Sequence, residues 1–112
     1  MFKRGGIYLV NLVHDGEERM ETCPSLVVSN NISNEYSPVV TIVPVSFSNM
    51  EKIYEFETFL PASKTDLAHD AKISSHIIIT IDKSRVVSER IGFVGRSLME
   101  QVEKALRLQL AL

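Results

Sequence analysis

The stretch that decides the fold is Pro38-Val39-Val40-Thr41-Ile42-Val43-Pro44-Val45-Ser46-Phe47. Val, Ile and Thr dominate it, and such residues favour the pleated backbone of a strand. A helix would not carry Pro44 in its interior. Within a strand, Pro44 removes one ladder donor, which places it at an edge or a bulge.

Working outward, Ser25-Leu26-Val27-Val28-Ser29 and Ile7-Tyr8-Leu9-Val10-Asn11-Leu12-Val13 read as two earlier strands. Between them the chain turns polar through His14-Asp15-Gly16-Glu17-Glu18-Arg19, a loop with its turn at Asp15-Gly16. Pro24 holds Cys23 extended. Ile32 to Tyr36 reads as a short helical turn. Downstream, Ile53 to Leu60 alternates, with Tyr54, Phe56 and Thr58 on one face and Glu55 and Glu57 on the other, as in a half-buried strand. Ala62 to Asp70 is a polar connector, Ile73 to Ile81 another strand, and Ser84 to Val94 adds one or two short ones.

The period then changes. Leu98, Met99, Val102, Ala105, Leu106 and Leu110 share one helical face, and Ser97-x-x-Glu100 offers a capping box. The architecture is mostly β, a small curled sheet or barrel with a C-terminal amphipathic helix packed on it, as one domain over residues 1–112. The apolar end Leu108, Leu110, Ala111, Leu112 predicts burial against the barrel or a second subunit. The three tyrosines and five phenylalanines read mostly as core.

Composition narrows the function classes. The net charge is -2, with 12 basic and 14 acidic residues, so charge alone does not make a polyanion binder. Residues 82–112 carry 6 basic and 4 acidic groups, so the basic excess lies at the C-terminal end. One cysteine, Cys23, excludes an intrachain disulfide and a Cys-rich zinc site. No two histidines have helical ligand spacing, so no metal is expected. No apolar run reaches membrane-spanning length, and the N-terminal run is too short for a secretory segment, which makes a cytoplasmic protein the expectation.

Four segments carry a resemblance: "KRGGIYLVNL", "PSLVVSNNISNEYSPVVTIVPVS", "TIDKSRV" and "MEQVEKALRLQL". Their order and spacing, from Lys3 to Leu112, resemble the MazF/PemK toxin family. The resemblance implies an SH3-like β-barrel with a C-terminal helix, similar in fold to the gyrase poison CcdB. It implies a homodimer, a small acidic antitoxin as partner, and cleavage of single-stranded RNA with no metal or other cofactor.

Such cleavage uses the substrate's own 2′-hydroxyl. It needs a base, an acid for the leaving oxygen, and donors or a cation on the phosphate. The resemblance carries these tasks onto Cys23, where the family has Arg before Pro24, onto Ser46 at the end of the third strand, and onto His76 in the strand before Thr80-Ile81-Asp82. It carries RNA binding onto Glu18 and Arg19 in the first loop. Several positions depart from the family pattern. Cys23 supplies neither the charge nor the bidentate fork of an arginine. Met20-Glu21 replaces a Gly-rich approach, Ile77 and Ile79 replace Gln and Arg, Arg19 stands where Gln is usual, and Gly6 replaces an acidic residue. Three compensations are open: His76 as acid or base, Arg19 as the phosphate cation, and Ser46 as donor.

Before a proline at a strand start, Cys23 itself reads as a small half-buried packing residue, not a nucleophile. His14 and His69 lie in polar loops. Lys83, Arg85, Arg90 and Arg96 form either an RNA-facing patch or a solvated edge that deters strand pairing. Two functions follow: a MazF/PemK-like endoribonuclease with an altered site, or a catalytically silent homologue that binds an antitoxin or a gyrase-like target.

Overall fold

The structure is a computed structural model that describes residues 2–13 and 20–112, the side chains of residues 13 and 20 excepted. The elements run β1 (Gly6–Val13), β2 (Met20–Val27), α1 (Asn31–Tyr36), β3 (Val39–Ser46), β4 (Glu57–Leu60), β5 (Ala71–Ser74), β6 (Ile79–Asp82), β7 (Gly92–Phe93) and α2 (Arg96–Leu110). All pairings are antiparallel, in the order β4-β5-β3-β2-β1-β7, with β6 also on β3. The sheet curls into a half-barrel and α2 packs against it. This is the mostly β architecture with a terminal helix that the sequence implies.

β3 is the hinge of the sheet. One edge pairs with β2 through Ser25↔Pro44, Leu26↔Val43 and Val27↔Ile42. The other edge pairs first with β6 over Val39 to Ile42, then with β5 at Val45 and Ser46. Pro44 falls in the gap between those two partners. It is not on an outer strand, but its missing N–H faces a break in the ladder, which is why β3 tolerates it.

Alternation along the strands sends side chains to two cores. Ile7, Leu26, Val43, Val45, Leu60 and Ile73 meet Leu98, Met99 and Val102 of α2 on one face. Tyr8, Val10, Leu12, Val27, Val40, Ile42 and Ile81 form the other core, on the opposite face. The segment after β6 returns along β1. Val86 bridges Val10, the Val87 N–H donates to the Leu9 carbonyl, and the Ile91 N–H to the Ile7 carbonyl.

Several boundaries differ from the sequence reading. β2 begins at Met20, so Cys23 and Pro24 lie within a strand, paired with Val10 and Leu9. The strand expected over Ile53 to Leu60 exists only from Glu57. Tyr54 and Glu57 close a turn, in which the Glu57 N–H donates to the Tyr54 carbonyl and the Tyr54 N–H to Glu57 Oε1. Ile73 to Ile81 breaks into β5 and β6, because the Ile77 N–H turns back to the Ser74 carbonyl.

The capping box does not form. Gly95 is the α2 N-cap, Ser97 lies inside the first turn, and no side chain caps the end. Buried Val94, held by the Gly5 carbonyl, delivers the chain straight into a helix whose Leu98 and Met99 must reach the core. The expectation that the aromatics are mostly core also fails. Tyr8 is buried, whereas Tyr36, Tyr54, Phe47, Phe59 and Phe93 are exposed. Leu108, Leu110 and Leu112 do not bury against the sheet, and Leu112 is 86% exposed. A Cβ at Gly6 would stand 2.7 Å from the Tyr8 ring, so a larger residue there requires that ring to shift.

Glu57, expected on a solvated face, is instead part of a buried ion pair. Its Oε2 lies 3.0 Å from Lys72 Nζ, with side chains 6% and 7% exposed. Lys72 Nζ also donates to the carbonyls of Asn49 (2.9 Å) and Lys52 (3.4 Å). The pair therefore ties the loop between β3 and β4 onto β5. Removing one partner strands a buried charge, a change that costs about 3–5 kcal/mol. Lys72→Met should lose stability on that scale in chemical denaturation, and adding Glu57→Leu should recover most of the loss.

Candidate functional site

β2 and β3 stay paired as far as Ser25↔Pro44 and then part. Cys23 and Ser46 each lie two residues past that pair, on the same side of the sheet as Pro44, and so flank the mouth where the strands diverge. A hollow of about 420 Å³ opens there, lined by Leu12, Cys23, Pro44, Ile77, Ile79, Ile81 and Arg85. Apolar side chains supply nearly all of it, because the curl of β1, β2, β3 and β6 turns the second core outward at this end. The one full charge in the lining is Arg85.

Arg85 is held by the turn Lys83–Arg85 that follows β6. Asp82 caps this turn, its Oδ1 accepting from the Ser84 N–H at 2.8 Å. Arg85 NH1 reaches the Asn11 carbonyl at 3.5 Å, a weak tether. Among the described residues no carboxylate lies within ion-pair distance of Arg85. The Ser84 backbone N–H, then the Ser84 side chain, then the charge of Arg85 hold the Asp82 carboxyl below its ordinary range. A depressed carboxylate contributes its cap fully above the unfolded-state value, and the cap is lost only as pH falls through the lowered one.

Cys23 is half-buried, and its Sγ lies 4.0 Å from the Glu21 carbonyl. Burial first, and the Glu21 charge second, push its thiol above the usual range. A thiol in that state stays protonated at neutral pH and is a poor nucleophile. The polar neighbours of Cys23 are Thr22, whose hydroxyl donates to Asn11 Oδ1 at 2.7 Å, and Ser25, whose hydroxyl donates to the Cys23 carbonyl at 3.5 Å. Ser46 Oγ accepts from the Ser48 N–H at 3.1 Å, which orients its hydroxyl at the strand end.

His76 belongs to a second hollow of about 420 Å³, lined by Asn49, Glu51, Lys52, Tyr54, Phe56, Glu57, Lys72 and His76. Its neighbour in the chain, Ile77, lines the first hollow. Successive residues of the turn between β5 and β6 therefore line different concavities. Glu18, Arg19 and His14 lie outside the described residues.

The basic residues named from the sequence have separate partners. Lys83 donates to the Glu35 carbonyl, Arg90 covers the Phe93 ring, and Arg96 pairs with Glu100 along α2. Only Arg85 of these four enters the hollow. Sequence reasoning named Arg85 in that patch but had no signal for its place beside Cys23, which depends on the return of the chain from β6 to β1.

Residues 3–110 match the family described as PemK-like, MazF-like toxin of type II toxin-antitoxin system. The endoribonuclease MazF9 of Mycobacterium tuberculosis is 36% identical over 118 aligned residues, covering 100% of this chain and 98% of that protein. The endoribonuclease EndoA of Bacillus subtilis is 29% identical, covering 98% of this chain and 95% of that protein. In fold, the chain is similar to an endoribonuclease in complex with its cognate antitoxin from a mycobacterial species, with a TM-score of 0.80 at 22% identity over 100% of this chain and 97% of that one. MazF from Deinococcus radiodurans superposes with a TM-score of 0.79 at 21% identity, over 98% and 96%.

The chemistry of Cys23 is directly testable. Iodoacetamide should label it more slowly than free cysteine at neutral pH, with the rate climbing only as pH passes above the ordinary thiol range. Mass spectrometry of the alkylated chain reads this, and labelling faster than free cysteine would contradict a raised thiol.

Proposed function

The chain belongs to the PemK-like, MazF-like toxin family of type II toxin–antitoxin systems, and we propose that it acts there as an endoribonuclease on single-stranded RNA. What carries this reading is the full-length relationship to MazF9, which covers every element that builds the hollow. In the proposed reaction the substrate's 2′-oxygen attacks the adjacent phosphorus and the bond to the 5′-oxygen breaks. The products are a 2′,3′-cyclic phosphate and a 5′-hydroxyl. One proton leaves the 2′-oxygen and one arrives at the 5′-oxygen, and no metal is assigned to either task.

Arg85 is the cation we assign to the phosphate. It has the fork that Cys23 lacks, and the low-polarity lining of Leu12, Pro44, Ile79 and Ile81 strengthens its pull on a developing negative charge. Ser46, at the mouth of β2 and β3, donates to the same phosphate. His76 stands at the seam between the hollows, and imidazole can both accept and donate a proton. Cys23, protonated, occupies the place of a phosphate ligand without supplying charge.

The remaining assignments are a homodimer, a small acidic antitoxin and work in the cytoplasm where RNA is met. The exposed Leu108, Leu110 and Leu112 support the dimer, because a free helix end of that apolarity favours a partner. The structural neighbour solved with its cognate antitoxin supports the second.

In excess chelator, the protein should cut long single-stranded RNA and leave cyclic-phosphate ends. Arg85→Ala should lower the rate by about 100-fold or more, as for loss of one preorganised electrostatic donor. Cys23→Arg should raise it and restore cutting to Arg85→Ala. Intact RNA with both the parent and Cys23→Arg would return the protein-binding reading. Sedimentation at micromolar concentration should give a dimer, which a monomeric profile would contradict.

A further inference from the structure

Beside His76, the second hollow contains two stacked rings that the phosphate chemistry does not use. Tyr54 and Phe56 stack with ring centroids 5.2 Å apart and planes within 5° of parallel. The His76 ring meets Phe56 edge-on at 4.3 Å. Lys52 Nζ lies 4.6 Å from the Tyr54 ring centroid. Tyr54 and His76 are exposed, so this is a surface ladder of rings and not a satellite core.

Its rigidity has a cause. Lys72 Nζ holds the Asn49 and Lys52 carbonyls, and Glu57 Oε1 holds the Tyr54 N–H. A buried ion pair thus fixes the loop that presents Tyr54, so the ring is in place before anything binds.

We propose that Tyr54, stacked on Phe56 and flanked by His76, is a platform for an unpaired nucleobase of the RNA, on the far side of the β5–β6 turn from the Cys23–Arg85 hollow. This rests on the reading of the chain as a ribonuclease. Three observations select this occupant. The hollow lies next to the site, because the successive residues His76 and Ile77 line the one and the other. Its lining is close to charge-balanced, with Lys72 paired to Glu57 and Lys52 beside Glu51, so it suits the π-face of a base better than a phosphate. Lys52 covers Tyr54 only through a flexible chain at an exposed site. A base arriving on Tyr54 displaces its ammonium into solvent.

Stacking of this kind tolerates sequence, so the platform contributes affinity and register more than base identity. It also involves no counterion release, so its contribution differs from that of Arg85 in salt dependence.

The test uses the whole protein and a mixed-sequence, uniformly 2′-O-methylated oligonucleotide, which lacks the attacking hydroxyl and cannot be cut. Tyr54→Ala should weaken binding in fluorescence anisotropy by about ten-fold, by the same factor at low and high salt. Tyr54→Trp should bind like the parent. The chain has no tryptophan, so the new indole is a unique reporter, and oligonucleotide should quench it. An abasic oligonucleotide should bind parent and Tyr54→Ala alike. In cleavage of a long RNA the Tyr54→Ala defect should fall on KM. Equal affinity of parent and Tyr54→Ala for the intact oligonucleotide, or an unquenched Tyr54→Trp, overturns the platform while leaving the ribonuclease reading standing. No binding of RNA by the parent overturns both.

Discussion

The structure depends on β3 serving two cores at once. Its side chains alternate between a face closed by α2, through Val43 and Val45, and the opposite face, through Val40 and Ile42. A strand apolar on both faces must be central, so every other strand is arranged around it. It also has to change partner from β6 to β5, and the change occurs where Pro44 lacks a donor. That break opens the sheet at the ends of β2 and β3. The hollow beside Cys23 is therefore a consequence of how β3 is paired, not an addition to a finished barrel.

The electrostatics of the hollow follow from its location at the open end of a core. Its walls are apolar because they are the outer residues of that core, and one guanidinium enters from the turn after β6. A single cation in a low-polarity setting acts more strongly on an anion than several in water. Burial in the same setting holds the Cys23 thiol in its neutral form.

Lys72 and Glu57 extend this coupling to the neighbouring loop. A buried ion pair contributes little net stability but is costly to break. Here its geometric role is evident, since it collects two carbonyls and one N–H of the loop between β3 and β4 and so sets where Tyr54 and Phe56 stand. Both hollows are thus framed by β3, one at its broken ladder and the other at the loop that leaves its end.

By itself, the sequence determined the class of fold. The β-branched run around Ile42, the apolar strands at Ile7 and Leu26, and the helical period of Leu98, Met99, Val102 and Ala105 are local signals, each set by side-chain direction within one element. It also determined the family. Tertiary structure alone decided the rest. The return of the chain from β6 to β1 put Arg85 beside Cys23. The pairing of β4 with β5 buried Glu57 against Lys72, although alternation had placed Glu57 on a solvated face. The turn at Tyr54 brought its ring onto Phe56, where an alternating pattern had implied a strand. Each of these depends on contacts between residues far apart in the chain, whose energies outweigh the local preferences that a sequence displays.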